Sequence, residues 1–140
     1  MKEGTVRTSS DEETIELGRR IARTLPKKIC VLLIGNLGAG KTTLAKGILS
    51  GLGAAPPEDV TSPTFTLIHE YGRAYHIDLY RLDTAAQVAT LGLDEIFECR
   101  AVVLVEWGEK FLEFMPAERI EIRLRATGED AREIAVSRTM

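Results

Sequence analysis

Several common features are scarce in this chain, and each scarcity removes a class of function. No apolar run approaches the ~20 residues that cross a bilayer, so no membrane association is expected. Met1-Lys2-Glu3-Gly4 has no secretory hydrophobic region, which makes cytoplasmic localisation the expectation. The two cysteines, Cys30 and Cys99, have no CxxC or metal-ligand spacing and read as reduced thiols. Two histidines, His69 and His76, are too few for an obvious structural zinc site. With 18 basic against 21 acidic residues the net charge is −3, so charge gives no reason to expect direct, tight nucleic-acid binding. There are no repeats and no low-complexity tract. A chain of 140 residues is expected to form one domain over 1–140 around one modest core.

What is present is a glycine-rich run, Gly35-Asn36-Leu37-Gly38-Ala39-Gly40-Lys41-Thr42, which fits the phosphate-loop pattern G-x-x-x-x-G-K-[ST]. Ile29 to Ile34 reads as a buried strand before it and Lys41 to Leu52 as a helix after it, the order the mechanism needs. The glycines allow a tight turn whose N–H groups face inward, where side chains would crowd the phosphates. Lys41 is expected to reach the β- and γ-phosphates, and the Thr42 hydroxyl to ligate Mg²⁺. The helix N-terminus adds free N–H groups and a positive dipole end. Thr43 either packs in the helix or touches the α-phosphate.

Around this unit the pattern alternates between helix and strand. Thr5–Thr8 reads as an edge strand. Ser10 and Glu13 form a capping-box signature for an amphipathic helix over 11–25, stopped by Pro26. Gly51 and Gly53 end the loop helix, and 55–59 is a connector. Ser62-Pro63 forces extended backbone, amid the hydroxyls of Thr61, Ser62 and Thr64. Residues 65–71 and 74–80 alternate around Gly72-Arg73 as a hairpin, with His76, Asp78 and Tyr80 on one face. Asp83 is expected to cap a helix over 84–91, followed by a helical piece at 94–98. Ala101 to Val105 is continuously apolar, as in a central parallel strand covered on both sides. Residues 119–125 and 131–137 form a C-terminal hairpin whose balanced charges suit a solvated face. The expected fold is α/β: a P-loop NTPase-like three-layer domain with a mixed sheet, a parallel centre and antiparallel hairpins.

A P-loop nucleotidase also needs an acid at the end of a neighbouring strand. Glu106, after four apolar residues, is the first candidate for a metal or water role. Asp78 is the second, since an unpaired carboxylate among hydrophobic neighbours is costly; it orients water or pairs with Arg81. His76 reads as a packed histidine rather than a catalyst, with Asp78 a candidate partner. Trp107 either walls the nucleotide site or caps a core edge. The segment 61–64 lies where many P-loop proteins place a nucleotide-sensing switch. The nearby basic residues Arg73, Arg81 and Arg100 have no arginine-finger context, so turnover should be slow without partners.

Four segments, Gly35 to Thr43 (GNLGAGKTT), Ser62 to Leu67 (SPTFTL), His76 to Leu82 (HIDLYRL) and Val105 to Trp107 (VEW), together resemble the bacterial TsaE family, formerly YjeE. Leu17-Gly18 in the first helix also matches, so the resemblance covers most of residues 10–110. It implies a small Mg²⁺-dependent ATPase needed for threonylcarbamoyladenosine in tRNA. Thr42 and Glu106 would be the metal ligands, and Lys41, Asp78 and Glu106 the catalytic residues. Residues 35–43, Thr61, Ser62, Thr64 and Trp107 would lie around the nucleotide. The implied partners are TsaD and TsaB, with tRNA engaged indirectly through their complex. ATP turnover would reset the complex that transfers the threonylcarbamoyl group to the adenosine beside the anticodon. The short Gly72-Arg73 turn and the missing C-terminal helix of some relatives are departures that bear on partner contacts. The alternatives are a small-molecule or nucleoside kinase, a GTP switch (disfavoured because no N/T-K-x-D segment is present) and a noncatalytic nucleotide-binding module.

Overall fold

The computed structural model describes residues 4–63 and 65–139. Its centre is strand β2 (Ile29–Ile34), followed by helix α2 (Lys41–Gly51). Strand β1 (Gly4–Thr8) and helix α1 (Asp11–Ala22) precede them. After a 3-10 turn at Pro57–Asp59 come strands β3 (Ile68–Tyr71) and β4 (Ala74–Asp78) and helices α3 (Ala85–Ala89) and α4 (Leu93–Glu98). Strand β5 (Val102–Glu106), an irregular 3-10 segment (Gly108–Phe114), and strands β6 (Arg119–Ala126) and β7 (Arg132–Thr139) complete the chain.

The strands form one seven-stranded sheet in the order β1-β7-β6-β2-β5-β4-β3. The pairs β6·β2, β2·β5 and β5·β4 are parallel; the outer pairs are antiparallel. This is the expected mixed sheet. Alternation along the central strands feeds two cores, one on each face. Val31, Leu33, Leu104, Ile120 and Ile122 pack against Leu44, Ile48 and Leu49 of α2 and Leu17 and Ile21 of α1. Cys30, Leu32, Val103, Val105 and Ile77 pack on the other face against Val88, Leu93, Phe111 and Met115. Three layers result, as the composition of β5 demands. Burial lifts the Cys30 thiol to about 12, so it stays protonated and inert.

The pairing of α1 with α2 depends on glycine. A Cβ at Gly47 would lie 2.1 Å from the Ile15 carbonyl oxygen, and one at Gly18 2.7 Å from that of Leu44. Neither backbone can move without separating the helices.

Some local expectations change. Helix α1 ends at Ala22, three residues early; beyond it the Thr24 hydroxyl donates to the Ile21 carbonyl at 2.7 Å. Ser10 accepts from the Glu13 N–H, but the Glu13 carboxylate takes the Ser9 N–H. The cap after β4 is Thr84, not Asp83, in a full capping box with Gln87. The first hairpin strand starts at Ile68, because residues 65–67 form a turn in which Leu67 has φ 69° and its N–H bonds the Pro63 carbonyl. Strand β4 stops at Asp78 rather than continuing to residue 80.

Candidate functional site

Parallel register brings the acids to the same edge of the sheet. Asp78 at the end of β4 pairs with Glu106 at the end of β5, which pairs in turn with Leu33 of β2, two residues before the glycine-rich loop. His76, Asp78 and Glu106 share the face covered by α2 with Ala74 and Leu104, so all three are directed toward the start of that helix. The loop makes its turn with Gly38 at φ 79° and Gly40 at φ 100°, values that exclude ordinary side chains.

Thr42 Oγ1 donates to Glu106 Oε2 at 3.1 Å, joining the first turn of α2 to the end of β5. His76 Nε2 donates to the same oxygen at 2.6 Å. The expected His76–Asp78 bond is thus replaced by a His76–Glu106 bond, because cross-strand stagger aims the imidazole at the neighbouring strand's acid. His76 is fully buried, and its Nδ1 has no partner among the described residues. Asp78 is also buried, and its Oδ1 accepts the Tyr80 N–H at 2.8 Å.

Lys41 is the buried cation between these groups. Its Nζ donates to the Gly35 carbonyl at 2.7 Å and lies 3.6 Å from the centre of the Trp107 ring. Burial lowers its pKa, while Glu106, Glu109 and Asp78 oppose that shift. Trp107 reaches this position through a left-handed backbone, φ 66°, directly after the strand, and Tyr80 packs on it at 5.1 Å. Trp107 borders the cavity and also packs, half-buried, against the edge of the second core. Glu109, one turn on, has its carboxyl raised by burial, against the pull of Lys41, Lys110 and Arg123. Its spacing from the acid of β5 gave no sequence signal.

Lys41, Thr42, Asp78, Glu106 and Trp107 line a cavity of about 390 Å³. Leu37 to Thr43, Ser62, Asp78, Tyr80, Glu106 and Trp107 border it. Gly35 and Asn36 border a neighbouring cavity beside β6 instead. Thr61 is exposed and outside the lining, and Thr64 lies outside the described residues. Arg73 and Arg100 line a separate cavity with Lys27, and Arg81 stacks on Phe65 at 4.0 Å. The arginine that does border the site is Arg132 of β7, which the charge balance of the hairpin had assigned to a solvated face. Asp11 and Asp130 border it too.

A strand, a left-handed glycine turn, a buried lysine and two strand-end acids in one cavity make a cationic cradle beside a hydroxyl–carboxylate pair. Such a site suits an anion with its counter-cation. Among the described residues no helix is long and apolar enough to cross a membrane, and no group of three or more His, Cys, Asp or Glu could hold a metal ion.

Comparison with known proteins gives the same arrangement a family. The profile described as "Threonylcarbamoyl adenosine biosynthesis protein TsaE" matches residues 8–134. The chain is 41% identical over 138 residues to the tRNA threonylcarbamoyladenosine biosynthesis protein TsaE of Bacillus subtilis, covering 96% of this chain and 85% of that one. The Treponema pallidum protein of the same name is 38% identical over 131 residues, covering 91% and 96%. The crystal structure of Bacillus subtilis YdiB superposes with a TM-score of 0.80 at 37% identity, over 99% of this chain and 87% of that one. With the match running from β1 into β7, the chain belongs to the TsaE family of tRNA threonylcarbamoyladenosine biosynthesis.

Proposed function

We propose that this protein is a Mg²⁺-dependent ATPase whose turnover serves a TsaB–TsaD-like complex that installs the threonylcarbamoyl group on the adenosine beside the tRNA anticodon. The observation that carries the reading is the Thr42–Glu106 contact next to a buried Lys41 in a glycine-turned loop. The residues present fit ATP with its metal. Gly38 and Gly40 leave left-handed backbone where a phosphate must approach closely. Lys41 donates to a loop carbonyl that phosphate oxygens can replace. One hydroxyl and one carboxylate suit Mg²⁺, which is held by few protein oxygens together with substrate phosphates.

In this reading the loop N–H groups and Lys41 bind the β- and γ-phosphates, leaving the Gly35 carbonyl and the Trp107 face. Thr42 and Glu106 hold Mg²⁺, and His76 holds the Glu106 carboxylate in its rotamer. The metal these two residues would hold would supply charge neutralisation at the phosphate oxygens. Asp78 orients the water that attacks the γ-phosphorus as the bond to the β-phosphate oxygen breaks, giving ADP and phosphate. Trp107 and Tyr80 exclude bulk water from Lys41. The site works in the cytoplasm, and the partners hold the tRNA, in keeping with a net charge of −3.

The test is phosphate release with and without a purified TsaB–TsaD complex. Slow release alone and a marked rise with the complex are expected. No stimulation and no association would overturn the assignment to that complex. Appearance of a phosphorylated metabolite in place of free phosphate would mark a kinase.

A further inference from the structure

The cavity has a second flank that the family reading leaves without a task. Strand order puts β5 and β4 on one side of β2 and the β6–β7 hairpin on the other. Glu106 and Asp78 therefore approach the glycine-rich loop from one side and Arg132, the first residue of β7, from the opposite side.

The Arg132 side chain is built into place. Its NH1 donates to the Ala131 carbonyl at 2.8 Å and to those of Glu129 and Gly128 at 3.3 and 3.5 Å. Its NH2 donates to the Gly38 carbonyl, inside the loop, at 3.2 Å. A Cβ at Gly40 would lie 3.0 Å from its Nε, so the guanidinium covers the second loop glycine. Every acceptor is a neutral carbonyl, and none of the ion pairs among the described residues includes Arg132. The other arginines of the hairpin, Arg119, Arg123, Arg125 and Arg138, each hold a glutamate. The Arg132 Nε–H is buried and has no partner among the described residues. A guanidinium keeps its charge at any accessible pH. Arg132 is thus a fixed cation with an unspent, buried donor, lining an anion cavity with no carboxylate paired to it.

We propose that Arg132 is a nucleotide-contacting residue that binds the nucleoside-proximal phosphate. This inference rests on the ATP reading of the site. The metal and the terminal phosphate belong on the Glu106 side, so the opposite flank receives the α-phosphate and the nucleoside. The hairpin turn carries Arg132 to that end of the loop, and Gly40 must be glycine both for its backbone and to leave the guanidinium room. Because ATP and ADP share the α-phosphate, Arg132 serves both.

Calorimetric titration of Arg132→Gln with MgATP and with MgADP tests this. Gln can still donate to a carbonyl but carries no charge. Both affinities should fall by about tenfold, and by the same factor. Loss for ATP alone would put Arg132 at the terminal phosphate and overturn the assignment. Unchanged affinity for both, with unfolding temperature preserved, would reduce Arg132 to a hairpin clasp. Should the variant lose its fold, hydrogen exchange on the wild-type protein decides: ADP alone should protect amides 127–133, and an unchanged turn contradicts the proposal. Wild-type protein that binds neither nucleotide would defeat the ATP reading itself, whereas wild-type binding matched by Arg132→Gln defeats only this inference.

Discussion

The two flanks of β2 are built on opposite rules. Toward β5 and β4 the strands are parallel and buried on both faces, and their only acids stand at the C-terminal ends, Asp78 and Glu106. Toward β6 and β7 the strands form an antiparallel hairpin that carries a ladder of ion pairs, Arg119–Glu121, Arg123–Glu121 and Arg125–Glu133 among them. In the first flank a charge is expensive, and each one sits at the cavity. In the second, charges are cheap and numerous, and the one that reaches the cavity, Arg132, is hidden among them. A charge in an apolar strand announces a site; a charge in a polar strand must be located in space.

Substitutions on each flank should separate the two contributions. Apart from loss of the Glu106 carboxylate, the largest effect is expected from Asp78→Asn: turnover lower by about 100-fold with ATP affinity nearly kept, measured as phosphate release at saturating MgATP. An equal loss in binding would move Asp78 from chemistry to structure. Arg132→Gln should show the reverse signature, a loss of affinity shared by ATP and ADP. Trp107→Phe should weaken nucleotide affinity only a few-fold, since it keeps an aromatic wall on the cavity. In the wild type, Trp107 fluorescence should change on ATP or ADP binding, and a flat titration would remove it from the site.

The smallest effect, and one on stability alone, belongs to Glu121 on the hairpin flank. Burial pushes its carboxyl up, but hydrogen bonds from Arg119 and Arg123 outweigh it and hold the pKa below the ordinary value. A folded pKa below the unfolded one means stability that is full above the unfolded value and lost as pH falls through the folded one. Glu121→Gln should therefore cost about 1–2 kcal/mol at neutral pH and little in strong acid, in denaturant titrations at both pH values. Its ATP turnover should match the wild type, which is where the flanks differ.

Much of this was legible in the chain. The runs at 29–34 and 101–105 could only be buried strands, and the acid ending the second was conspicuous among valines. Period-two alternation announced both hairpins. What stayed hidden depends on neighbours distant in sequence. Gly47 looks like a weakness inside a helix until Ile15 is seen against it. His76 takes Glu106, 30 positions away, because β4 and β5 lie side by side. Thr84 takes the cap from Asp83 because Gln87 completes the box only at that spacing. Arg132 carried no signal, since nothing in its own strand tells it from four other arginines of the hairpin.

The central claim is that the joint between the glycine-rich loop and the end of β5, Thr42 to Glu106, is a catalytic ATP site. The most direct test is phosphate release by Glu106→Gln beside the wild type at saturating MgATP, with nucleotide binding measured on the same samples. Turnover should be lower by about 100-fold or more while ATP still binds. Wild-type turnover in Glu106→Gln would contradict the claim.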